Sequence, residues 1–205
     1  MAMSTLVRAG LQPVERTLVP DPPLSDAEFE ALCHAFDTVQ FERTKEGVIL
    51  MNPPAGGFTG DGNAQILLQL AGWWETHDRG RVFDSNTGFY LRDNSMMSPD
   101  AAYVLPQTLE GITAEELTGF PHLCPDFVIE LLSSSDRLAK AQAKMSDWIE
   151  NGAKLGWLID PYAKNVHVYE RDVPTRIVSG ASVRGTGPVE GFVLDLKKVW
   201  RRYQL

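Results

Sequence analysis

Cysteine is scarce in this 205-residue sequence, which contains only Cys33 and Cys124. The two residues lie far apart, and neither has a CxxC motif or a histidine-rich neighbourhood. A disulfide framework needs more cysteines, and a structural zinc site needs closely spaced ligand pairs. We therefore expect two buried thiols in a protein of a reducing compartment.

Long apolar segments are also lacking. No apolar run approaches the roughly 18 residues that indicate a membrane-spanning helix, and the N-terminus lacks the apolar core of a secretory signal peptide. Residues 1–20 mix Pro, Arg, Glu and Val without a period. We expect a soluble, cytoplasmic protein with no membrane partner, in which residues 1–20 form an arm and residues 21–205 a single domain.

Basic residues are outnumbered by acidic ones, 19 against 27, and the formal net charge is −8. Since phosphate contacts come from Lys and Arg, a protein of this composition is a poor generic polyanion binder. A role with nucleic acid would have to rest on a local basic patch or on metal ions. The chain has no P-loop, no GxGxxG and no aromatic RNA-binding signature. No ligand spacing connects its four histidines, which are His34, His77, His122 and His167.

Apolar residues make up 43% of the sequence, enough for a full core. Their periodicity alternates along the chain between helical and strand patterns, and hairpins interrupt any Rossmann-like repeat. The pattern indicates an α/β protein with a mixed central β-sheet flanked by helices. The predicted helical segments are 25–36, 58–77, 113–118, one from about residue 136, and 197–203. The predicted strands are 39–42, 48–51, 82–91, 97–104, 127–132, 155–159, 166–169, 176–178 and 192–196.

One predicted strand, residues 127–132, carries an unexpected charge. Its nearly continuous apolar run is typical of a strand covered on both faces, yet Glu130 lies within it. A carboxylate in a buried strand is strongly unfavourable unless it is paired or bound to a cation. Three serines follow and offer N-caps to the next helix, which carries Lys144.

Two further acids accompany Glu130. Asp100 follows Pro99 at the start of a strand, and Glu46 lies in or near the first hairpin turn. Acids brought from neighbouring strands to one point form an oxygen cage for a hard divalent cation. Mg²⁺ held in such a cage activates water and stabilises charge on a phosphate. A lysine beside it would neutralise the developing negative charge.

Helix geometry favours Lys144 as this lysine. With about 100° per residue, the apolar stripe of its helix centres on Met145, and Lys144 lies about 100° from that centre, on the flank of the stripe. Lys140 lies about 140° away, nearer to solvent. Lys144 is therefore expected to point over the sheet edge toward the strand acid. Arg137, about 80° from the centre on the same side, and Lys140 are candidate phosphate contacts.

Each candidate also has a structural interpretation. Asp100 could cap a turn, Glu130 could form a structural ion pair with a basic residue of the helix, and Lys144 could be a solvated residue of the flank. For Glu46, a solvated charge in a turn is the default. Asp126 shares a strand face with Glu130 and could support it, although an acid at a strand start is more commonly a local cap.

These acids resemble those of a known superfamily. Asp100 and Glu130 resemble the two acids of the PD-(D/E)XK nucleases, although Leu132 stands where the usual lysine would follow the second acid. A closer resemblance, over about residues 25–200, is to the Uma family of proposed restriction endonucleases, a domain of unknown function. It is carried by Ser98-Pro99-Asp100, Pro125 to Leu131, Lys144 and Gly156 to Pro161, with Glu42 to Pro54, Gly88-Phe89 and Gly191 to Leu196 also fitting.

The resemblance implies a restriction-endonuclease-like core for the predicted domain. It implies Mg²⁺, with Mn²⁺ as the alternative, at Asp100 and Glu130, and a catalytic Lys144 supplied by the helix after the second acid. The backbone carbonyl of Leu131 would be a further metal ligand. Glu46 occupies the place of an early acid in the family pattern.

The expected function is a Mg²⁺-dependent DNA endonuclease that hydrolyses phosphodiester bonds by attack of metal-activated water. Two alternatives stay open: a binding or scaffold protein that keeps the fold without cleavage, and a metal-dependent hydrolase of RNA or a nucleotide. A homodimer is expected by family analogy, because cutting both strands of a duplex needs two sites. The basic residues expected around the site are Arg92, Arg137, Lys140 and Lys144.

Overall fold

The computed structural model describes residues 17–36 and 38–203. The chain divides into two compact units, residues 1–54 and residues 55–205. Most of the arm predicted for residues 1–20 lies outside the described residues, and the predicted division into an arm and one domain stays a prediction.

The N-terminal unit combines a helix with antiparallel strands that pair in the order β1, β3, β2. The helix begins at a capping box, in which the backbone N–H of Ser25 donates to Glu28 Oε2 at 2.9 Å and that of Glu28 donates to Ser25 Oγ at 3.4 Å. Gly47 closes the predicted hairpin at φ 82°, a left-handed conformation that favours glycine. The elements are β1 (Thr17–Leu18), α1 (Asp26–Ala35), β2 (Gln40–Arg43) and β3 (Ile49–Asn52).

The C-terminal unit contains a mixed sheet and the longer helices. Its strands are β4 (Arg81–Asp84), β5 (Phe89–Tyr90), β6 (Met96–Met97), β7 (Ala101–Val104), β8 (Phe127–Leu131), β9 (Leu155–Asp160), β10 (Asn165–Glu170), β11 (Val173–Ser179), β12 (Ser182–Arg184) and β13 (Val193–Asp195). Its helices are α2 (Gly57–His77), α3 (Pro106–Leu109), α4 (Leu138–Asn151) and α5 (Leu196–Trp200), with 3₁₀ turns at Gly187–Val189 and Arg201–Tyr203.

Six of these strands form one sheet in the order β11-β10-β9-β8-β7-β4. Strands β8 and β9 are parallel, and the other neighbouring pairs are antiparallel. Helix α4 connects the parallel pair, as a parallel connection requires. The predicted mixed sheet flanked by helices is thus confirmed. None of the helices in the described ranges combines the length and apolarity needed to traverse a bilayer.

Strand β8 faces two different layers because successive side chains alternate between the sheet faces. Phe127, Ile129 and Leu131 pack with apolar residues of α2 and α5 on one face. Val128 and Leu132 pack with α4 on the other face. Glu130 lies on the same face of the sheet as Val128 and Leu132, so its side chain projects toward α4.

Two predicted strands are wrong in extent. The segment 82–91 breaks after β4, where the backbone N–H of Asn86 donates to Asp84 Oδ1 at 3.1 Å and starts a turn before β5. The segment 97–104 breaks between β6 and β7 at Pro99, which has no N–H to donate to a sheet ladder. This second break determines where the next residue, Asp100, emerges.

Two predictions about helical segments are also wrong. The segment 113–118 has capping hydrogen bonds between Thr113 and Glu116 but continues as turns, since Gly119 and a proline follow closely. Helix α4 begins at Leu138 without a side-chain cap, because the backbone N–H of Ser133 donates to Asp136 Oδ2 and forms a turn instead. The other predicted elements of the described ranges are confirmed, with boundaries shifted by a few residues.

Candidate active site

Glu130 and Lys144 meet between β8 and α4. Lys144 Nζ lies 3.0 Å from Glu130 Oε1 and donates to the carbonyl of Ser98 at 2.8 Å. Trp148, one helical turn further along α4, donates its indole N–H to the same Oε1 at 3.0 Å. The side chain of Glu130 is 12% exposed and that of Lys144 is 25% exposed. The buried acid is therefore compensated by a cation and a neutral donor from one helix.

Asp100 lies beside Glu130 across the sheet. The antiparallel register pairs Ala101 with Ile129, which places the residue before β7 opposite Glu130. Asp100 Oδ2 accepts from the backbone N–H of Leu131 at 2.6 Å. The break at Pro99 and the register of β7 thus bring the two predicted acids together.

The other oxygen of Asp100 contacts a residue of α2. Asn63 Nδ2 donates to Asp100 Oδ1 at 2.6 Å. Burial raises the pKa of Asp100, and the hydrogen bond from Leu131, the charge of Lys144 and the hydrogen bond from Asn63 oppose that shift. Asp136 contributes a smaller upward shift of the pKa. Asp100 therefore ionises less readily than a solvated aspartate, and a cation at this point would favour its charged form.

The donor set at this point fits a hard divalent cation. Within the described part of the chain, no group of three His, Cys, Asp or Glu residues is placed to hold a metal ion. Mg²⁺ does not need three, because it is commonly held by one or two carboxylates together with waters and phosphate oxygens. The carboxylates of Asp100 and Glu130 supply such oxygens. The buried Oδ1 of Asn63, which has no hydrogen-bond partner, is a third oxygen beside Asp100.

The remaining predicted contacts around α4 are placed as follows. The amide of Leu131 binds Asp100, and the role of its carbonyl as a metal ligand stays a prediction. Arg137 and Lys140 are exposed at the N-terminal end of α4 and stay candidate phosphate contacts. Arg92 donates to the carbonyl of Glu150 near the C-terminal end of α4, beyond Lys144.

Asp126 has the local role of a cap. It is 2% exposed and precedes β8, about 13 Å along the strand from Glu130. Its carboxylate accepts from the backbone N–H of Leu105 at 2.8 Å and from Thr108 Oγ1 at 3.0 Å. Lys154 Nζ lies 2.8 Å from it. These contacts join the end of β7 and the start of β8 to the residue that precedes β9.

Glu46 belongs to the N-terminal unit, where it is exposed in the β2–β3 turn. Its membership in the site stays a prediction. The same hairpin carries a second acid, Glu42, which is 7% exposed and accepts from Asn52 Nδ2 at 3.0 Å. Of the two acids in this hairpin, Glu42 is the buried one, and its carboxylate accepts the hydrogen bond that burial requires.

Sequence reasoning missed three contributors to the site. Asn63 gave no signal, because a polar residue in a helix is ordinarily solvated. Trp148 lies three residues after Met145, on the apolar stripe of its helix, where a core role is the ordinary expectation; its indole N–H, which needs a partner when buried, is the signal for a further role. The carbonyl of Ser98 became available only because Pro99 interrupts the strand.

The chain is similar to known proteins in both sequence and structure. A sequence model of the Uma2 family, described as "Putative restriction endonuclease", matches residues 26–197. Comparison with curated proteins finds no match. Among solved structures, the chain is similar to a crystal structure of a "putative nuclease belonging to DUF820" from Anabaena variabilis. The TM-score is 0.67 at 20% identity, covering 79% of this chain and 90% of that chain, and the likeness at this identity shows a shared fold.

Proposed function

We propose, since the chain belongs to the Uma2 family of restriction-endonuclease-like proteins, that it is a divalent-cation-dependent endonuclease that hydrolyses phosphodiester bonds of DNA. The family supports a nuclease. The metal dependence, the identity of the metal as Mg²⁺ or Mn²⁺, and DNA as substrate are our proposal.

One observation carries the proposal: Asp100, which directly precedes β7, lies opposite Glu130 of β8, and a lysine ammonium lies beside Glu130. Asp100 and Glu130 are brought together by the register of β7 and β8. Lys144 Nζ lies 3.0 Å from Glu130 Oε1. A stabilising ion pair alone would account for the lysine and one acid. It would leave Asp100, a second carboxylate with a raised pKa, unexplained.

The side chains have separate roles in this proposal. A cation held by Asp100 and Glu130, with the carbonyl of Leu131, would lower the pKa of a bound water and offset phosphate charge. Lys144 holds a positive charge and N–H donors where negative charge develops in phosphodiester hydrolysis. Trp148 fixes the orientation of Glu130 through its indole N–H.

DNA would be bound by local rather than overall charge, since the chain has a net charge of −8. Arg137 and Lys140 are exposed on the segment that leads from Glu130 to Lys144, and we propose that they contact phosphates flanking the cleaved bond. A homodimer would present two sites, one for each strand of a duplex. Size-exclusion chromatography with light scattering tests that state.

The test of function is nicking of supercoiled plasmid by the purified full chain with Mg²⁺ or Mn²⁺. Glu130→Ala and Lys144→Ala should each abolish nicking. Arg81→Ala, which removes an exposed charge from the edge strand β4, is the matched control and should cleave like the wild type. Cleavage that survives both site variants would contradict the proposal.

A second candidate, a binding protein without cleavage, is favoured by the contact of Lys144 with Glu130. That lysine satisfies the acid without any metal. The melting temperature with and without Mg²⁺ or Mn²⁺ separates the two candidates. A rise that disappears in Glu130→Ala indicates a metal site, whereas an unchanged melting temperature together with absent nicking favours the binding protein.

A further inference from the structure

Three partly exposed aromatic rings form a cluster at the surface of the C-terminal unit. Phe58 comes from the first turn of α2, Tyr162 from the β9–β10 turn and Tyr203 from the last 3₁₀ turn. The ring centroids of Phe58 and Tyr203 lie 6.0 Å apart at an interplanar angle of 29°, and those of Tyr162 and Tyr203 lie 5.6 Å apart at 82°. Phe58 is 46% exposed and Tyr162 is 52% exposed.

This aromatic cluster adjoins the acids. A Cβ placed on Gly62 of α2 would lie 2.7 Å from Leu131 Cδ2 and 3.1 Å from Tyr203 Oη, so both side chains meet at that glycine. Leu131 donates its amide to Asp100. Phe58 lies one helical turn before Gly62 and therefore on the same side of α2. The cluster thus lies near Asp100, to which it is linked through the buried residues Gly62 and Leu131.

The composition of the surrounding surface matches a nucleic-acid strand. Arg201 and Lys164 are exposed, and each lies two positions in sequence from a tyrosine of the cluster, Tyr203 and Tyr162 respectively. Arg202 Nη1 lies 3.5 Å from Oδ2 of the half-exposed Asp61, so the charge of Arg202 is offset by an acid, and Arg201 and Lys164 supply the cations of this surface. Cations that track a phosphate backbone, together with aromatic rings that offer a face to bases, are the two components of single-strand binding surfaces.

We propose that Phe58, Tyr162 and Tyr203 form a platform on which an unpaired nucleobase stacks, next to the phosphate that the acids address. This inference rests on the proposed function and adds a substrate feature to it. The preferred substrate is a strand with an unstacked nucleotide, such as single-stranded DNA or a flipped base, rather than uniform duplex. Stacking requires no base-specific hydrogen bond, so the preference would be tolerant of sequence.

The test measures binding of the full chain to fluorescent oligonucleotides by anisotropy, with Ca²⁺ in place of Mg²⁺ and with gels to verify that the probes stay intact. One probe is a single strand containing 2-aminopurine, and the other is a fully paired hairpin. Phe58→Ala and Tyr162→Ala should each weaken single-strand binding roughly tenfold and reduce the quenching of 2-aminopurine. Phe58→Tyr keeps an aromatic ring, so its single-strand affinity and its quenching of 2-aminopurine should stay near the wild-type level. Leu68→Ala, which removes a 65% exposed side chain from the same helix, should leave both unchanged.

The outcomes separate this inference from the function on which it rests. Single-strand affinity and quenching that stay at the wild-type level in both alanine variants would overturn the platform, even if the protein binds and cleaves DNA. An equal loss of affinity for the paired hairpin would overturn it too. Binding of neither probe by the wild type, together with absent nicking, would overturn the proposed function and the platform together. Tyr162 lies in a surface turn, so its variant tests the platform should Phe58→Ala destabilise α2.

Discussion

Lys144 and Glu130 are held 3.0 Å apart by a helix and a strand that are consecutive in the chain. The superfamily pattern would place the lysine at position 132, where this chain has a buried leucine that packs with α4. Lys144 approaches the acid from the helix side instead, and its second hydrogen bond to the carbonyl of Ser98 fixes its direction. Lys144 thus places a positive charge beside Glu130 from a sequence position other than 132, and its catalytic role stays a prediction.

The first prediction concerns this ammonium. Lys144→Met keeps most of the apolar stem and removes the charge, so plasmid nicking should fall roughly 100-fold or more. The expected signature is a loss in turnover with the fold intact, checked by circular dichroism. Arg81→Met removes a charge from an exposed strand position and serves as control. Equal activity of the Lys144 variant and the control would contradict a catalytic lysine.

A second prediction concerns the indole of Trp148. Trp148→Phe preserves an aromatic ring in the core and deletes the donor to Glu130 Oε1. Because residues that orient a metal ligand affect affinity or activity about 10–100-fold, the concentration of Mg²⁺ needed for half-maximal nicking should rise by that order. A purely structural tryptophan would lower the melting temperature and leave the Mg²⁺ dependence unchanged.

The third prediction follows from the raised pKa of Asp100. A carboxyl whose pKa is higher in the folded than in the unfolded state binds its proton more tightly when folded, so its contribution to stability declines as pH rises above 3.8 through the folded pKa. The side chain introduced by Asp100→Asn cannot ionise, so the stability of this variant should not show this decline with rising pH. Without divalent cation, its melting temperature near neutral pH should exceed that of the wild type.

Thermal melts across the acid range check this prediction. The difference in melting temperature between Asp100→Asn and wild type should grow with pH and then level off. Added Mg²⁺ should reverse the order, because only the wild type can use an ionised carboxylate as a ligand. A difference that is constant with pH would show that Asp100 ionises equally readily in both states.

The fourth prediction separates the acid at the strand start from the acids of the site. Asp126→Ala leaves the backbone N–H of Leu105 and the ammonium of Lys154 without their buried partner. Since Lys154 is 55% exposed, the cost is at the lower end for a buried pair, about 2–3 kcal/mol, or about 5–10 °C in melting temperature.

Nicking by the folded fraction of Asp126→Ala should stay at the wild-type level when it is assayed well below its melting temperature. Asp126→Asn retains an acceptor for Leu105 and should recover part of the stability. Loss of cleavage in a fully folded Asp126→Asn would instead assign this residue to the site.

The parts of the fold that follow from local patterns were predictable. The 3.6-residue period of α2 and the apolar run of β8 are both patterns within a short stretch of sequence, so each can be recognised without knowing the fold. The direction of Lys144 followed from helix geometry around Met145, because a side chain's angle on a helix is set by its position in the sequence.

The parts that were missed depend on contacts between distant segments. Asn63 reaches Asp100 only when α2 packs on the sheet, and no period in the sequence encodes that pair. The partners of Asp126 come from a loop, a short helix and a strand start, so its structural role was one of two open alternatives. Pro99 is visible in the sequence, but the prediction of one continuous strand over residues 97–104 does not allow for the break that this proline makes before Asp100.

The β8–α4–β9 connection has a consequence for the order in which the protein assembles. Glu130, Lys144 and Trp148 all lie within this one crossover, so their contacts span short distances along the chain and can form early in folding. Asp100 joins only when β7 docks against β8, and Asn63 only when α2 covers the sheet. The contact between Glu130 and Lys144 would thus form before Asp100 reaches it. The proposed capacity to bind a divalent cation would arise late in folding, only once the sheet is complete.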